Sequence, residues 1–156
     1  MRLQSRNSDR GQTLVEFALI LPVFVLVLVG IFDVGRAVYA FNTVNNAARE
    51  GARLAIVDQT VSDIQDRAAE RAVSLGVQPG DVRVSFVNTS TGNACTQVGQ
   101  PGVIACSAIV EVPFQYSAAT PIIGNLIGPM EIAGQSTFVI EFNCVDGGGR
   151  DCPLGG

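Results

Sequence analysis

Polar and apolar positions are distributed unevenly along this 156-residue chain. Residues 17–32 read FALILPVFVLVLVGIF, sixteen positions without a charge. A polar, basic stretch, MRLQSRNSDRG, opens the chain, Glu16 stands at the near edge of the apolar run, and Asp33 and Arg36 follow its far edge. As a helix, sixteen residues reach about 24 Å, short of the roughly 30 Å hydrocarbon core of a bilayer. Starting at Gln12 lengthens the segment to about 31 Å and brings Glu16 inside it. That pattern predicts a membrane-spanning helix over 12–33. Pro22 lies within it, and membrane helices tolerate the resulting kink.

Helical spacing continues beyond the run. Val34, Ala37, Val38, Phe41, Val44, Ala48, Ala52, Ala55 and Ile56 recur with a period near 3.6, and no proline interrupts residues 23–78. One continuous helix over 12–57, about 69 Å long, is therefore expected, with Gly35 and Gly51 each costing about 1 kcal/mol relative to alanine. Asp33 and Arg36 read as a weak surface pair at the outer boundary. After a break at 58–60, Ser62 and Gln65 have the spacing of a capping box. Val61, Ile64, Ala68, Ala72 and Leu75 form an apolar stripe, and Gly76 suits a C-cap. These predict a second helix over 63–75, with Asp66, Arg67, Glu70 and Arg71 on its solvated face.

The rest reads as β structure. Pro79-Gly80-Asp81 is a turn, 82–87 an alternating strand, 88–102 a loop, 103–116 a longer strand, and 130–142 a third strand region. Pro113 suggests an edge or a strand break. Within 117–129, Ile122, Ile123, Leu126 and Ile127 need cover, from a short helix under the sheet or from a membrane-proximal or subunit contact. The glycine-rich end, 146–156, reads as a flexible tail. The fold class is α+β: a long N-terminal transmembrane helix continuing into a small head of a second helix and a three- to four-stranded antiparallel sheet.

Composition narrows the function classes. Hydrophobic residues are 47% and charged ones 15%, which excludes an ordinary disordered chain. A net charge of −4 argues against nucleic acid as a partner. With no histidine, a Ser-His-Asp triad, a Cys-His pair and any His-ligated metal are excluded. No glycine-rich phosphate loop follows a strand, so no catalytic residue, metal, cofactor or small-molecule substrate is expected. Arg2, Arg6 and Arg10, opposed only by Asp9, place the N-terminus in the cytoplasm and the region after the run outside. Cys95, Cys106, Cys144 and Cys152 then lie in an oxidising compartment and read as disulfides. Of three connectivities, Cys95–Cys106 and Cys144–Cys152 are favoured, because each closes a glycine-containing loop. The spacings do not fit a Cys₄ zinc site.

Three readings of the N-terminus compete: a signal peptide cleaved near Val38-Tyr39-Ala40, an uncleaved signal anchor, and a cut before the apolar run. The third follows from a basic leader without a hydrophobic core, then Gly11, four residues, Glu16 and the run. That order resembles the class III signal of type IV pilins and pseudopilins. The Gly11-to-Glu16 spacing, Glu16-Phe17-Ala18-Leu19, Pro22 and the stretch from Asn45 to Arg53 resemble more closely the TadE-like pseudopilins of tight-adherence (Flp) pilus systems. The head matches that family only in outline. The resemblance implies that a prepilin peptidase cuts between Gly11 and Gln12. It also implies that Glu16, with Phe17, serves assembly by pairing with the new amine of a neighbouring subunit. Partners would be that peptidase, other pilin or pseudopilin subunits and the pilus assembly platform, in the cytoplasmic (inner) membrane. An exported, signal-anchored domain that binds a ligand or protein outside any pilus is the alternative. The expected organisation is a leader over 1–11, a transmembrane segment over 12–33, an extracytoplasmic continuation over 34–57, a head over 58–145 and a tail over 146–156.

Overall fold

Forty-seven residues, Ser8–Leu54, form a single α-helix, α1, with Pro22 inside it. In this computed structural model the described residues are 8–95, 106–120, 124–125 and 128–140. At 1.5 Å per residue α1 is about 70 Å long. It starts upstream of Gln12, so Gly11 lies on helical backbone. It ends three residues before the expected 57, because the chain tightens there: Ile56 N–H donates to the Arg53 carbonyl at 3.4 Å, and Val57 N–H to that of Leu54 at 3.0 Å. A second helix, α2, spans Val61–Arg71. Three strands follow, β1 Arg83–Asn88, β2 Cys106–Tyr116 and β3 Met130–Val139. They form an antiparallel sheet in the order β1-β2-β3. The α+β expectation holds.

Small residues decide how the layers meet. Val44, Ala47, Ala48 and Ala52 of α1, with Ala55 just past its end, pack on Ile64 and Ala68 of α2, on Ala72 at its C-cap and on Ala108, Val110 and Val112 of β2, all fully buried. Alanine brings backbones close while still removing apolar surface from water. Two glycines carry this further. A β-carbon at Gly51 would stand 3.0 Å from the Ala68 side chain and 3.2 Å from that of Val110. At Gly134 it would overlap the carbonyl of Val44 and the amide nitrogen of Asn45, so the backbones of α1 and β3 touch there. Val34, Val38 and Phe41, expected on the packed stripe, are instead 65%, 53% and 53% exposed. At 100° per residue Val34 and Phe41 share the side of buried Ala48 and Ala52, so their exposure marks where the head stops covering that side of α1.

The start of α2 differs from the expected capping box. Thr60, not Ser62, is the N-cap. Ser62 lies in the first turn, and its hydroxyl meets Asp63 Oδ1 at 3.3 Å. The Gln65 amide donates to the Val82 carbonyl at 2.9 Å, joining α2 to the entry of β1 at a residue buried in the core. A buried carbonyl needs a donor, and this long-range use displaces the local cap. The helix stops at Arg71, and Val73–Leu75 continues as a 3₁₀ turn closed by Gly76 at φ +76°, the left-handed cap expected there. Pro79–Asp81 is likewise a 3₁₀ turn.

Pro113 falls in the central strand, not at a sheet edge. The register explains it. Strand β1 pairs with β2 only from Asn88↔Cys106 to Arg83↔Glu111, while β3 runs on to Tyr116↔Met130. Ile140 N–H donates to the Cys106 carbonyl at 2.9 Å. By strand alternation, even-numbered β2 residues therefore bond towards β3 and odd-numbered ones towards β1. The missing N–H of Pro113 faces the side where β1 has already ended, and no ladder bond is lost. Cys95 and Cys106 form a disulfide, and Cys95 N–H also donates to the Phe86 carbonyl at 2.8 Å. Cys144, Cys152, the apolar residues Ile122, Ile123, Leu126 and Ile127, and the 146–156 tail lie outside the described residues.

Two glycine substitutions separate contact from propensity. Gly134→Ala is expected to destabilise the head by about 1–3 kcal/mol through overpacking. Gly35→Ala, where a β-carbon meets nothing within 4 Å, is expected to stabilise α1 by up to about 1 kcal/mol. Denaturant titrations of the two variants in detergent check the opposite signs.

Candidate functional site

Two regions of α1 carry the candidate functional residues. The first is the outward-facing N-terminal part. Gly11, Gln12, Glu16 and Phe17 are all exposed. The Gln12 side-chain amide donates to Glu16 Oε1 at 3.4 Å, the i,i+4 neighbour relation that the sequence spacing implies. Among the residues whose side chains are described, Glu16 makes no ion pair. Gly11 has no steric reason to be glycine: a β-carbon there meets nothing within 4 Å. Its backbone is ordinary right-handed helix. The fold thus carries about 1 kcal/mol of helix cost at Gly11 without a packing return.

From Leu14 to Phe32 almost every large apolar side chain on α1 is exposed. Phe17, Leu19, Ile20, Val23, Phe24, Ile31 and Phe32 all have more than half their surface free. An 18-residue window of this helix has a hydropathy of 2.8 and no buried residue. A continuous apolar surface of this size is not left in water by a soluble domain. The helix is long and apolar enough for single-pass membrane anchoring.

The second region begins where that surface ends. Asp33, which the sequence pattern suggested as half of a weak surface pair, is buried. Its Oδ1 accepts the Ala119 N–H at 2.9 Å, its Oδ2 accepts the Thr120 N–H at 3.0 Å, and the Thr120 hydroxyl donates to Oδ2 as well. The Tyr116 hydroxyl donates to the Asp33 carbonyl at 2.7 Å. Arg36 Nη1 lies 3.8 Å from Oδ1, longer than any of these bonds, and its guanidinium sits 6.0 Å from the centre of the Tyr116 ring. Burial of a carboxylate is costly without donors, and here three donors from one short segment meet it. Asp33 thus ties residues 116–120 to α1 within one residue of the apolar run. One sequence signal pointed to it. Positions 33, 40 and 44 share a helix face, and Ala40 and Val44 are core residues.

A third feature lies further along α1. Asn46, Arg49, Arg53 and Arg71 line a groove of about 440 Å³ with Ser136 and Phe138. Arg71 meets Glu50 at 3.6 Å, joining α2 to α1. Arg49 and Arg53 make no ion pair among the described residues. In the same stretch, Gly51 and Ala52 face inward. The segment from Arg49 to Arg53 therefore divides into a packing half and a solvent half. No group of three or more histidine, cysteine or acidic side chains able to hold a metal ion occurs among the described residues.

Removal of the Asp33 lock has a local readout. Asp33→Asn replaces one acceptor oxygen by a donor group facing donors. Faster amide hydrogen exchange is expected at Ala119 and Thr120, with β2 amides from Ala108 to Val112 unchanged. Equal loss of protection in both places would show instead that Asp33 holds up the whole head.

Residues 11–53 match the family described as TadE-like protein. The match begins at Gly11 and ends one residue before the end of α1, and it bears out the resemblance read from the sequence. No curated protein and no solved structure matches the chain.

Proposed function

We propose that this chain, with its TadE-like N-terminal helix, is a pseudopilin or minor pilin of a tight-adherence (Flp, type IV) pilus system. It is a structural protein, held in the cytoplasmic membrane by α1 with its N-terminus in the cytoplasm and its head outside. The observation that carries this reading is the coincidence of the family match with α1, beginning at a glycine the fold does not need. A glycine that costs helix stability and packs against nothing is accounted for by recognition in another protein. A prepilin peptidase cutting between Gly11 and Gln12 would use it. Removing 1–11 takes away three arginines and one aspartate, so the net charge falls from −4 to −6.

Cleavage there also explains Glu16. The new α-amino group of Gln12 would be an i,i+4 neighbour of Glu16 on the same helix, and equally available to the Glu16 of an adjacent subunit. Within hydrocarbon an unpaired carboxylate costs on the order of 2.5–3.5 kcal/mol at the bilayer centre, and less near the edge where Glu16 stands. An amine supplied by a neighbour offsets that cost and fixes the register between subunits, which places Phe17 at the same contact. The prepilin peptidase, other pilin or pseudopilin subunits and the assembly platform are the partners of this reading.

Intact mass of the protein recovered from membranes of a host carrying the pilus system tests the processing step. A mature chain starting at Gln12 is expected; one starting at Met1 supports a plain signal anchor, and one starting at Phe41 a conventional signal peptide. Glu16→Ala is expected to insert and be processed normally yet to be lost from sheared pilus fractions. Wild-type levels of that variant in the fractions would sink the assembly role.

A further inference from the structure

Where the apolar surface of α1 meets the head, the structure leaves a groove of about 230 Å³. Gly30, Val34, Ala37, Tyr116, Ala118 and Met130 line it. Asp33 borders it too, but its carboxylate is taken up by Ala119 and Thr120. The Tyr116 hydroxyl is turned to the Asp33 carbonyl. Both polar groups are thus satisfied from within, and what remains is nearly all carbon. Val34 and Met130 are themselves 65% and 42% exposed. The groove is continuous with the apolar surface of the helix, since Gly30 belongs to the uncharged run 17–32. One cation stands beside it. Arg36 has its side chain 58% exposed and lies one helical turn, about 4.5 Å along the axis, beyond Asp33.

We infer that this groove is a phospholipid site: one acyl chain of an outer-leaflet lipid lies against Val34, Ala37 and Tyr116, and Arg36 takes the phosphate. The inference rests on the membrane placement proposed above. An apolar groove open to hydrocarbon is filled by hydrocarbon, because water gains no hydrogen bonds there. A guanidinium is suited to phosphate through paired N–H donors. The Arg36–Asp33 separation of 3.8 Å leaves the guanidinium's remaining donors free to turn outward. Along α1 the groove runs from Gly30 to Ala37, and Arg36 stands near its outer end, the side on which the phosphate of an outer-leaflet lipid lies along the membrane normal. The lipid would complete the seat of the head on the membrane that Asp33 begins.

Native mass spectrometry of the full chain, extracted from phosphatidylglycerol-containing membranes in mild detergent, tests this. The wild-type chain is expected to retain one phospholipid, and Ala37→Phe, which fills the groove, to retain none. Arg36→Gln leaves the groove walls intact. It is expected to retain phospholipid about tenfold less well and added diacylglycerol as well as wild type does. A photoreactive residue at Val34 is expected to cross-link to lipid. Equal phospholipid retention by wild type and Ala37→Phe, or cross-linking of position 34 to a second copy, overturns the lipid site. Release of the wild-type chain from membranes by alkaline carbonate overturns the membrane placement itself, and the site with it.

Discussion

The contact between the backbones of α1 and β3 at Val44 and Gly134 sets the geometry of the head. No side chain fits between them, so the helix lies directly on the strand. Strand β3 is held in turn by ten paired positions on β2. Gly51 plays the matching part towards α2. Between these two close approaches the alanines of α1 fill the remaining space. Interiors packed to this density transmit strain instead of absorbing it. A shift of α1 along its axis would therefore bring larger side chains into both contacts at once. The head is fixed on the helix in one register.

That register determines where the helix leaves the protein. Toward its N-terminus α1 takes its last hydrogen bonds from the head at Asp33, where Ala119, Thr120 and Tyr116 close over it. From Phe32 back to Leu14 the side chains are left to another solvent. The same helix thus meets two environments, and the change falls at a carboxylate satisfied entirely by the head. On the pilin-like reading proposed above, such a division serves both stages. The upper half keeps the head rigid while the lower half stays free for lipid before assembly and for neighbouring helices after it.

The electrostatics follow the same division. Between Gly11 and Phe32 the one charged residue is Glu16. Above Asp33, charges are mostly arranged in pairs: Arg83 with Glu111 at 3.1 Å and with Glu131 at 3.7 Å on the open face of the sheet, and Arg71 with Glu50 beside α1. Exposed pairs of this kind contribute little to stability, but they keep that face of the sheet polar and soluble. Arg49 and Arg53 stand apart, on the solvent half of a segment whose other half, Gly51 and Ala52, is core.

Much of this was legible in the residue pattern. The uncharged run, the continuation of α1 to the region of Leu54, the second helix, the three strands and the left-handed cap at Gly76 all follow from periods and residue types that act locally. The Gly11-to-Glu16 spacing, the run Glu16-Phe17-Ala18-Leu19, Pro22 and the stretch from Asn45 to Arg53 together carried the resemblance to the family. The misreadings share one cause. Neighbours in sequence point to one role for Ser62, Pro113 and Asp33, and each is decided by a partner distant in it. Gln65 is drawn from a local cap to the carbonyl of Val82, Pro113 is tolerated because β1 stops at Arg83, and Asp33 is taken out of water by Thr120. The sequence by itself determined which segments are helix, strand or membrane-length apolar run, because those depend on side-chain type at fixed short spacings. Only the tertiary structure decided which face of α1 meets the head and that Asp33 marks its boundary. Both depend on close approaches and hydrogen bonds between residues as many as ninety positions apart.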